Sequence, residues 1–236
     1  MIALGDTGLY RSIFFWITQG AGKMKFGVLG TGMVGLAINN RLVELSHDVM
    51  IGTREPSKSE DKLKSRNEAV KVGTFAEAAA FGEIVFNATN GAGSLEALNM
   101  AGESNLNGKV LVDISEPLDF SNGMPPSLFV SNTDSLGEQI QRAFPQVKVV
   151  KTLNTITANV MVYPQHVANG DHQVFVSGND AQAKEQVVDI LKGFGWIHIL
   201  DLGDITTARA TEMYIAIWLR LWSALGTGMF NVKIMK

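Results

Sequence analysis

Cysteine is absent from the 236 residues of this chain. Without cysteine a protein forms no disulfide, has no thiolate nucleophile and builds no zinc or iron–sulfur site on Cys ligands. The four histidines, His47, His166, His172 and His198, are too scattered along the sequence to form a metal-binding motif. We therefore predict no resident metal ion.

The local signatures of hydrolases are absent as well. The sequence has no Gly-x-Ser-x-Gly turn, no His-Glu-x-x-His helix and no Ser, His and Asp in a recognisable local pattern. The segment 206–225, predicted to be a helix, carries no lysine that could protonate a carbonyl substrate. These absences argue against hydrolysis and against a hydroxyacid dehydrogenase, and no side chain is predicted to be catalytic.

A basic block and a membrane-spanning run are also missing. Lys and Arg number 20 against 23 Asp and Glu, for a net charge of −3, without a cluster typical of nucleic-acid binders. The apolar run Ile13–Ile17 is far shorter than the roughly 20 residues that cross a bilayer, and its flanks make a poor signal peptide. We expect a cytoplasmic protein that binds neither nucleic acid nor membrane. Residues 1–23 are either an extension ahead of Met24 or an arm that packs on a partner subunit.

A glycine-rich turn follows the apolar run from Phe26 to Leu29, and it opens a helix predicted over 33–45. In a βαβ unit such glycines permit a tight turn, close approach of the backbone to a pyrophosphate and close packing of helix on strand. The helix N-terminus then faces the phosphates. The turn predicts a dinucleotide site whose cofactor contacts are Gly30, Thr31, Gly32, Met33, Val34 and Gly35.

The residues after the second predicted strand identify the dinucleotide. Proteins that prefer NAD place an acidic residue about 20 residues beyond the glycines, where it bonds the ribose 2′-hydroxyl. This chain has Thr53 and Arg54 there instead. Because the planar guanidinium of arginine matches phosphate oxygens, NADP(H) is predicted rather than NAD(H).

Apolar runs and helical patterns alternate along residues 25–150. Strands are predicted over 25–29, 48–52, around 72, and over 84–88, 110–114 and 147–150, with helices over 33–45, 57–69, 75–81, 94–101 and 135–144. This alternation predicts an α/β fold of Rossmann type, with a doubly wound and mostly parallel sheet whose ligand lies outside the carboxyl ends of the strands. The strand ends at 87–91 and 115–118 should line one crevice and bring Thr89 and Asn90 to the cofactor, although ordinary turns favour the same residue types.

The pattern changes after Val150. Strands over 173–177 and 196–200, a helix over 181–192 and a long apolar helix over 206–225 predict a small C-terminal α+β domain. We divide the chain into an extension (1–23), an NADP-binding Rossmann domain (24–152) and an acceptor-binding and dimerisation domain (153–236). A helix that is apolar almost all round should be buried, either against a second subunit in a homodimer or within the core of one chain.

From residue 24 to 236 the chain resembles the NADPH-dependent coenzyme F420 reductases, also called F420-dependent NADP oxidoreductases. The resemblance rests on Leu29–Gly32, on Gly52–Arg54 with Lys58 four residues on, on Lys151–Thr155 and on Phe230–Lys233. It implies backbone contacts to the cofactor from Thr31 to Val34. Its implied side-chain contacts are Thr53, Arg54 and Lys58 at the 2′-phosphate and Glu116, Leu118 and Ala158 along the cofactor.

The resemblance also implies that a deazaflavin stacks by the nicotinamide, between the substrate-binding residues Asn154, Thr155 and Ile156 and the C-terminal Phe230. Reductases known to use the deazaflavin tend to have histidine where this chain has Asn154, so a flavin is the alternative acceptor. Hydride transfer between rings needs the reacting atoms roughly 3–3.5 Å apart and no general acid. We expect NADP(H)-dependent hydride transfer to a small-molecule redox acceptor; the alternatives are an NADPH-binding redox sensor and a small imine or ketone reductase.

Overall fold

The computed structural model describes residues 22–64 and 70–236. The predicted extension 1–23, with its apolar run Ile13–Ile17, lies outside the described residues except for its last two positions. The end of the helix predicted over 57–69 lies outside them too.

The first half of the described chain alternates strands with helices, as the sequence predicts. Its strands are β1 (Lys25–Leu29), β2 (Asp48–Thr53), β3 (Lys71–Thr74), β4 (Ile84–Asn87), β5 (Val110–Asp113) and β8 (Lys148–Thr152). Its helices are α1 (Met33–Glu44), α2 (Pro56–Lys64), α3 (Phe75–Phe81), α4 (Ser94–Ala101), α5 (Glu103–Leu106) and α6 (Leu136–Ala143). Between β5 and α6 lies a short antiparallel hairpin that the sequence did not predict, β6 (Leu118–Asp119) with β7 (Ser127–Leu128).

Eight strands form one sheet, which includes β9 (Gln173–Gly178) and β10 (His198–Gly203) from the second half of the chain. Their order is β10-β9-β8-β5-β4-β1-β2-β3. Neighbouring strands are parallel at every pairing except β8 with β9. The chain runs outward from β1 to β3 on one side and from β4 onward on the other, so β1 and β4 flank the point where the strand order reverses. A crevice opens at the carboxyl ends of strands at such a point, and the predicted Rossmann-type α/β fold is confirmed.

The second half completes this same sheet. It contributes α7 (Ala158–Val162), β9 (Gln173–Gly178), α8 (Ala181–Phe194), β10 (His198–Gly203) and α9 (Ala208–Leu225). Because β9 pairs with β8 across the proposed boundary at 152/153, the two halves share one sheet. The division into domains stays a prediction.

Helices cover both faces of the sheet, as a parallel sheet requires. One apolar cluster packs α1, α7 and α8 on one face, and a second packs α3, α4, α6 and the start of α9 on the other. The central strands β4 and β5 are buried along their whole length. This rigid centre fixes the strand ends that line the crevice.

The prediction that the last helix is apolar almost all round and buried is wrong for the single chain. In α9 the buried residues are Ala208, Thr211, Glu212 and Ile215, all in its first half. Ile217, Trp222 and Leu225 are exposed. The pattern failed because Glu212 takes a core position through ion pairing, whereas Ile217, Trp222 and Leu225 in the second half are not covered by the rest of the described chain. Among the described helices, α9 included, none is long and apolar enough to cross a membrane.

Candidate functional site

A cavity of about 250 Å³ opens at the carboxyl ends of β1, β2 and β4. It brings together seven residues predicted from the sequence: Gly30, Thr31, Gly32, Thr53, Arg54, Thr89 and Asn90. Ala88 belongs to the segment 87–91 that was predicted to line the crevice. Sequence reasoning missed the other lining residues, which are Phe75, Gly93, Glu96, Ala97 and Met100. The sequence feature that could have indicated four of them is the helical spacing of residues 93, 96–97 and 100 directly after a strand end. Residues at this spacing lie on one side of a helix, here the side of α4 that faces the crevice.

The glycine turn has the geometry that its sequence predicts. Gly30 has a φ of +112°, and a Cβ there would lie 2.5 Å from the Ala88 carbonyl oxygen. A Cβ on Gly35 would lie 2.0 Å from the Gly30 carbonyl oxygen, so only glycine allows α1 to start this close to β1. A Cβ on Gly32, by contrast, would meet no atom within 4 Å, because it would project into open space. The backbone therefore leaves room for a bulky group at the N-terminus of α1.

That N-terminus offers free donors. No side chain caps α1, whose N-cap residue is Gly32. The first N–H groups of a helix lack partners within it and favour an anion. The predicted contact Met33 is 84% exposed beside them, Val34 is half-buried and Gly35 is buried. The arrangement fits a pyrophosphate.

The ribose end of the cavity holds a hydroxyl and a guanidinium. Thr53 ends β2 as a buried residue, with its Oγ1 3.4 Å from Ser59 Oγ, and Arg54 is exposed. Lys58 is also exposed and forms an ion pair with Glu55. Ser59 is a polar neighbour that sequence reasoning missed. Lys58 does not line the cavity. Its ion-pair partner Glu55 directly follows Arg54, so Lys58 lies one helical turn beyond the ribose end of the cavity.

The loop after β4 is held by its own hydrogen bonds. Thr89 Oγ1 donates to Asn87 Oδ1 at 2.6 Å and lies 2.9 Å from Ser94 Oγ. Asn90 Oδ1 accepts from the Ala92 N–H at 3.0 Å, so its side chain caps the short helix that follows. Both predicted residues line the cavity, and Asn90 also has the turn-forming role that any such loop needs.

Beneath the strand ends lies a buried ion cluster that the sequence did not predict. Lys151 Nζ is 2.9 Å from Asp113 Oδ2 and 2.9 Å from Glu212 Oε1, and it donates to the Ser115 carbonyl oxygen. All three charged side chains are at most 1% exposed. Burial alone would lower the pKa of Lys151, but the two carboxylates outweigh it and hold that pKa above its usual value. The sequence feature that could have indicated this cluster is one charged residue within each of two apolar strands, Asp113 in β5 and Lys151 in β8.

The cluster ties the strand ends to the last helix. Asp113 Oδ1 accepts from Asn87 Nδ2 at 2.9 Å and from Ser115 Oγ at 2.7 Å. Glu212 accepts from the backbone N–H groups of Leu136 and Gly137, at 2.7 and 3.0 Å, and so caps α6. One set of bonds thus fixes the loops after β4, β5 and β8 relative to α9.

Glu116 and Leu118, the predicted contacts after β5, do not line the cavity. Glu116 is partly buried, and desolvation raises the pKa of its carboxyl to about 7 although Lys151 opposes the shift. Leu118 is half-buried at the start of the β6–β7 hairpin.

The residues predicted to hold the acceptor are divided between the core and the surface. Asn154, Thr155 and Ile156 are at most 3% exposed, and Asn154 Nδ2 donates to the Thr211 carbonyl oxygen at 3.0 Å. Phe230 is half-buried and stacks on Trp218, with ring centroids 5.4 Å apart. Ala158 starts α7. None of these residues lines the cavity; Asn154 and Phe230 contact α9 instead.

No group of three or more His, Asp or Glu side chains within residues 22–64 and 70–236 could hold a metal ion. The cavity presents backbone N–H groups, hydroxyls and the Arg54 guanidinium, which can bind a phosphorylated ligand.

Comparison with known proteins identifies relatives of this chain. Residues 25–117 match the family model described as NADP oxidoreductase, coenzyme F420-dependent. The F420-dependent NADP reductase of Methanocaldococcus jannaschii is 27% identical over 220 residues, which cover 87% of this chain and 97% of that protein. Metalloreductase STEAP3 of Rattus norvegicus is 29% identical over 198 residues, and the match spans 84% of this chain but only 37% of that protein.

A solved structure gives the strongest of these likenesses. A crystal structure from Arthrobacter sp. FB24, provisionally named an F420-dependent NADP-reductase, has a TM-score of 0.88 and 54% sequence identity. The match covers 90% of this chain and 100% of the other. With that identity over a full-length relative, the chain belongs to the F420-dependent NADP oxidoreductase family and is an oxidoreductase.

Proposed function

We propose that this protein transfers hydride between NADP(H) and the deazaflavin coenzyme F420. The observation that carries the proposal is the crevice itself, in which a glycine turn with room for a pyrophosphate lies beside Thr53 and Arg54. The name of the M. jannaschii relative supports the same pair of ligands. A flavin is the alternative acceptor, because Asn154 stands where deazaflavin-dependent reductases tend to have histidine.

The chain's own residues bind the dinucleotide at its pyrophosphate and at its 2′-phosphate. The free N–H groups at the start of α1 receive the pyrophosphate, and Thr53 and Arg54 receive the 2′-phosphate, with Lys58 released from Glu55 as a third donor. Phe75, Ala97 and Met100 give the cavity an apolar wall opposite these charges, which suits a flat base. NADPH, when bound, supplies the hydride.

Positioning is the main task of the remaining residues. The Lys151 cluster holds the loops after β4, β5 and β8 in one arrangement, so that these loops can hold a nicotinamide at a fixed place. The Asn154 to Thr211 hydrogen bond holds the Asn154–Ile156 segment to α9. Hydride transfer between stacked rings needs this alignment and no proton donor.

Stopped-flow mixing tests the proposal. NADPH is mixed with oxidised F420, with FMN and with a small cyclic imine, and the loss of nicotinamide absorbance is followed in each case. We expect rapid oxidation of NADPH by F420, slower oxidation by FMN and none by the imine. If neither ring oxidises NADPH, the protein is not a reductase of this type, and tight NADPH binding without turnover would favour the redox sensor.

We also propose that two copies pair through the exposed apolar side of α9. Ile217, Trp222 and Leu225 are between 42% and 57% exposed, which is a large apolar surface for one helix. Analytical ultracentrifugation should give twice the chain mass, and Ile217→Glu should give the mass of one chain. A single-chain mass for the unmodified protein at micromolar concentration would contradict the pairing.

A further inference from the structure

The cavity holds one acidic side chain to which the proposed function gives no role. Glu96 lies in the first turn of α4 and lines the cavity together with Arg54, and it is the one acid among the lining residues of the described chain. Glu96 is exposed, and its carboxylate forms no hydrogen bond or ion pair with any residue that the structure describes. An unpaired carboxylate in a site for phosphate groups is unfavourable, because like charges repel. The carboxylate therefore indicates a hydrogen-bond donor on the ligand.

The residues around Glu96 suit the base of a dinucleotide. Ala97 follows Glu96 in α4, and Met100 lies one helical turn beyond Glu96 on the same side. Phe75 and Ala97 belong to one apolar cluster and are each 6% exposed, whereas Met100 is 45% exposed. The three side chains form an apolar surface that extends from the core to solvent. A flat ring can lie on such a surface with its polar edge toward an exposed side chain.

The 2′-phosphate end of the cavity brings the base to this surface. A Cβ on Gly52 would lie 3.2 Å from Phe75 Cδ1, so the Phe75 ring lies against the end of β2, one residue before Thr53. In a nucleotide, adjacent ribose carbons carry the base and the 2′-phosphate. Because the proposed function places the 2′-phosphate on Thr53 and Arg54, the base lies beside Phe75.

We propose that the Glu96 carboxylate accepts a hydrogen bond from the exocyclic amino group of the adenine, and so selects dinucleotides with an amino group on the base. The inference rests on the NADP(H) site of the proposed function and adds a specificity-determining residue to it. An ionised carboxylate accepts hydrogen bonds and donates none. The 6-amino group of adenine donates, whereas the 6-oxygen of hypoxanthine or guanine accepts. A base with the 6-oxygen would therefore place one acceptor against another.

The hypoxanthine analogue of NADPH tests the inference, because it differs from NADPH only in its base. Isothermal titration calorimetry on the parent protein should give a Kd about 3- to 10-fold higher for the analogue than for NADPH, the range for one hydrogen bond. Glu96→Ala should raise the Kd for NADPH and for NADH by the same factor and bring the ratio of analogue to NADPH near one. Glu96→Gln should also bring this ratio near one, but through tighter binding of the analogue, since its amide can donate to the 6-oxygen.

Glu103→Ala is the matched control. Glu103 is an exposed acid in the first turn of α5 and does not line the cavity. Its removal takes away the same charge from the same kind of helix position, so every Kd and the ratio should stay at the parent values. The Tm of ligand-free Glu96→Ala and Glu103→Ala should each change by at most about 4 °C, because each loses only an exposed first-turn acid.

Three results would overturn the inference and leave the proposed function standing. The first is a parent protein that binds NADPH and its hypoxanthine analogue equally tightly. The second is an equal rise of both Kd values in Glu96→Ala, which would assign the carboxylate to a ribose hydroxyl. The third is tighter binding of NADPH by Glu96→Ala with unchanged binding of NADH, which would show that the carboxylate only repels the 2′-phosphate. A parent protein that binds no NADP(H) would contradict the proposed function itself, and the inference with it.

Discussion

The two ends of the crevice are built in different ways. At the NADP(H) end, exposed backbone of the glycine turn and the exposed Arg54 present donors directly to solvent. At the other end Lys151 and Asn154 are at most 1% exposed; Lys151 pairs with Asp113 and Glu212, and Asn154 donates to a backbone carbonyl oxygen. The comparison teaches that ligand contacts at the first end come from a local sequence motif, whereas the second end depends on contacts between residues far apart in the chain.

Removal of the buried lysine should give the largest effect. Lys151→Met leaves Asp113 and Glu212 without their cation in the core, so the free energy of unfolding should fall by about 3–5 kcal/mol. Urea denaturation followed by circular dichroism measures this loss. Lys192→Met, which breaks an exposed pair with Asp189, should change the same quantity by less than about 1 kcal/mol. Equal effects of the two substitutions would show that the second end of the crevice is not held by its ion cluster.

Glu116 should make stability depend on pH. Its folded pKa of about 7 lies above the ordinary glutamate value, so its contribution to stability is fully present below about pH 4.5 and is lost as pH rises to about 7. Glu116→Gln should therefore be more stable than the parent by up to about 3 kcal/mol at pH 8 and equally stable near pH 4.5. Urea denaturation at both pH values measures the difference.

The control for this pH effect is Glu185→Gln, at an exposed position on α8. It should change the free energy of unfolding by less than about 0.5 kcal/mol at either pH. A Glu116→Gln variant that is less stable than the parent at pH 8 would mean that the carboxylate is paired rather than desolvated.

Arg54 should decide between the two dinucleotides. Arg54→Ala removes charge-assisted bonds to the 2′-phosphate, so the Kd for NADPH should rise at least about tenfold while the Kd for NADH changes little. Isothermal titration calorimetry with both dinucleotides measures the ratio. Arg142→Ala, which breaks an exposed pair with Asp134, should leave both Kd values unchanged. Equal losses for NADPH and NADH would refute the 2′-phosphate assignment.

Gly32 should affect both dinucleotides alike. A methyl group there meets no protein atom, so Gly32→Ala should fold normally but project the methyl into the space proposed for the pyrophosphate. A steric cost of roughly 1–3 kcal/mol raises both Kd values by about 5- to 150-fold. Gly193→Ala, on α8 where the nearest atom to a new Cβ is 3.8 Å away, is the control. Unchanged NADPH binding in Gly32→Ala would place the dinucleotide elsewhere.

Local patterns predicted the strands and short helices well. Helix α3 runs over Phe75–Phe81 as predicted, because Thr74 Oγ1 accepts from the Glu77 N–H at 3.1 Å while Glu77 accepts from the Thr74 N–H at 2.7 Å. Such a capping box lies within four residues and is readable from sequence. The glycine turn is local in the same sense: the fold requires glycine at Gly30 and Gly35, whereas Gly32 borders open space.

Long-range contacts explain what the sequence did not predict. Lys151 and Glu212 are 61 positions apart, and only the completed sheet brings them together. For the same reason, the sequence alone did not predict that Asn154 is buried against Thr211 or that the second half of α9 is exposed. Hydrophobic pattern alone cannot distinguish an apolar helix face that meets the core from one that does not.

Transfer of an isotope label tests the central claim most directly. NADPH carrying deuterium at both C4 positions is mixed with oxidised F420 and a stoichiometric amount of the protein in ordinary water, and the reduced deazaflavin is examined by mass spectrometry. We predict one deuterium on the deazaflavin ring for each NADPH oxidised, because the two rings exchange hydride directly. Reduced deazaflavin without deuterium, or no reduction at all, would contradict the account.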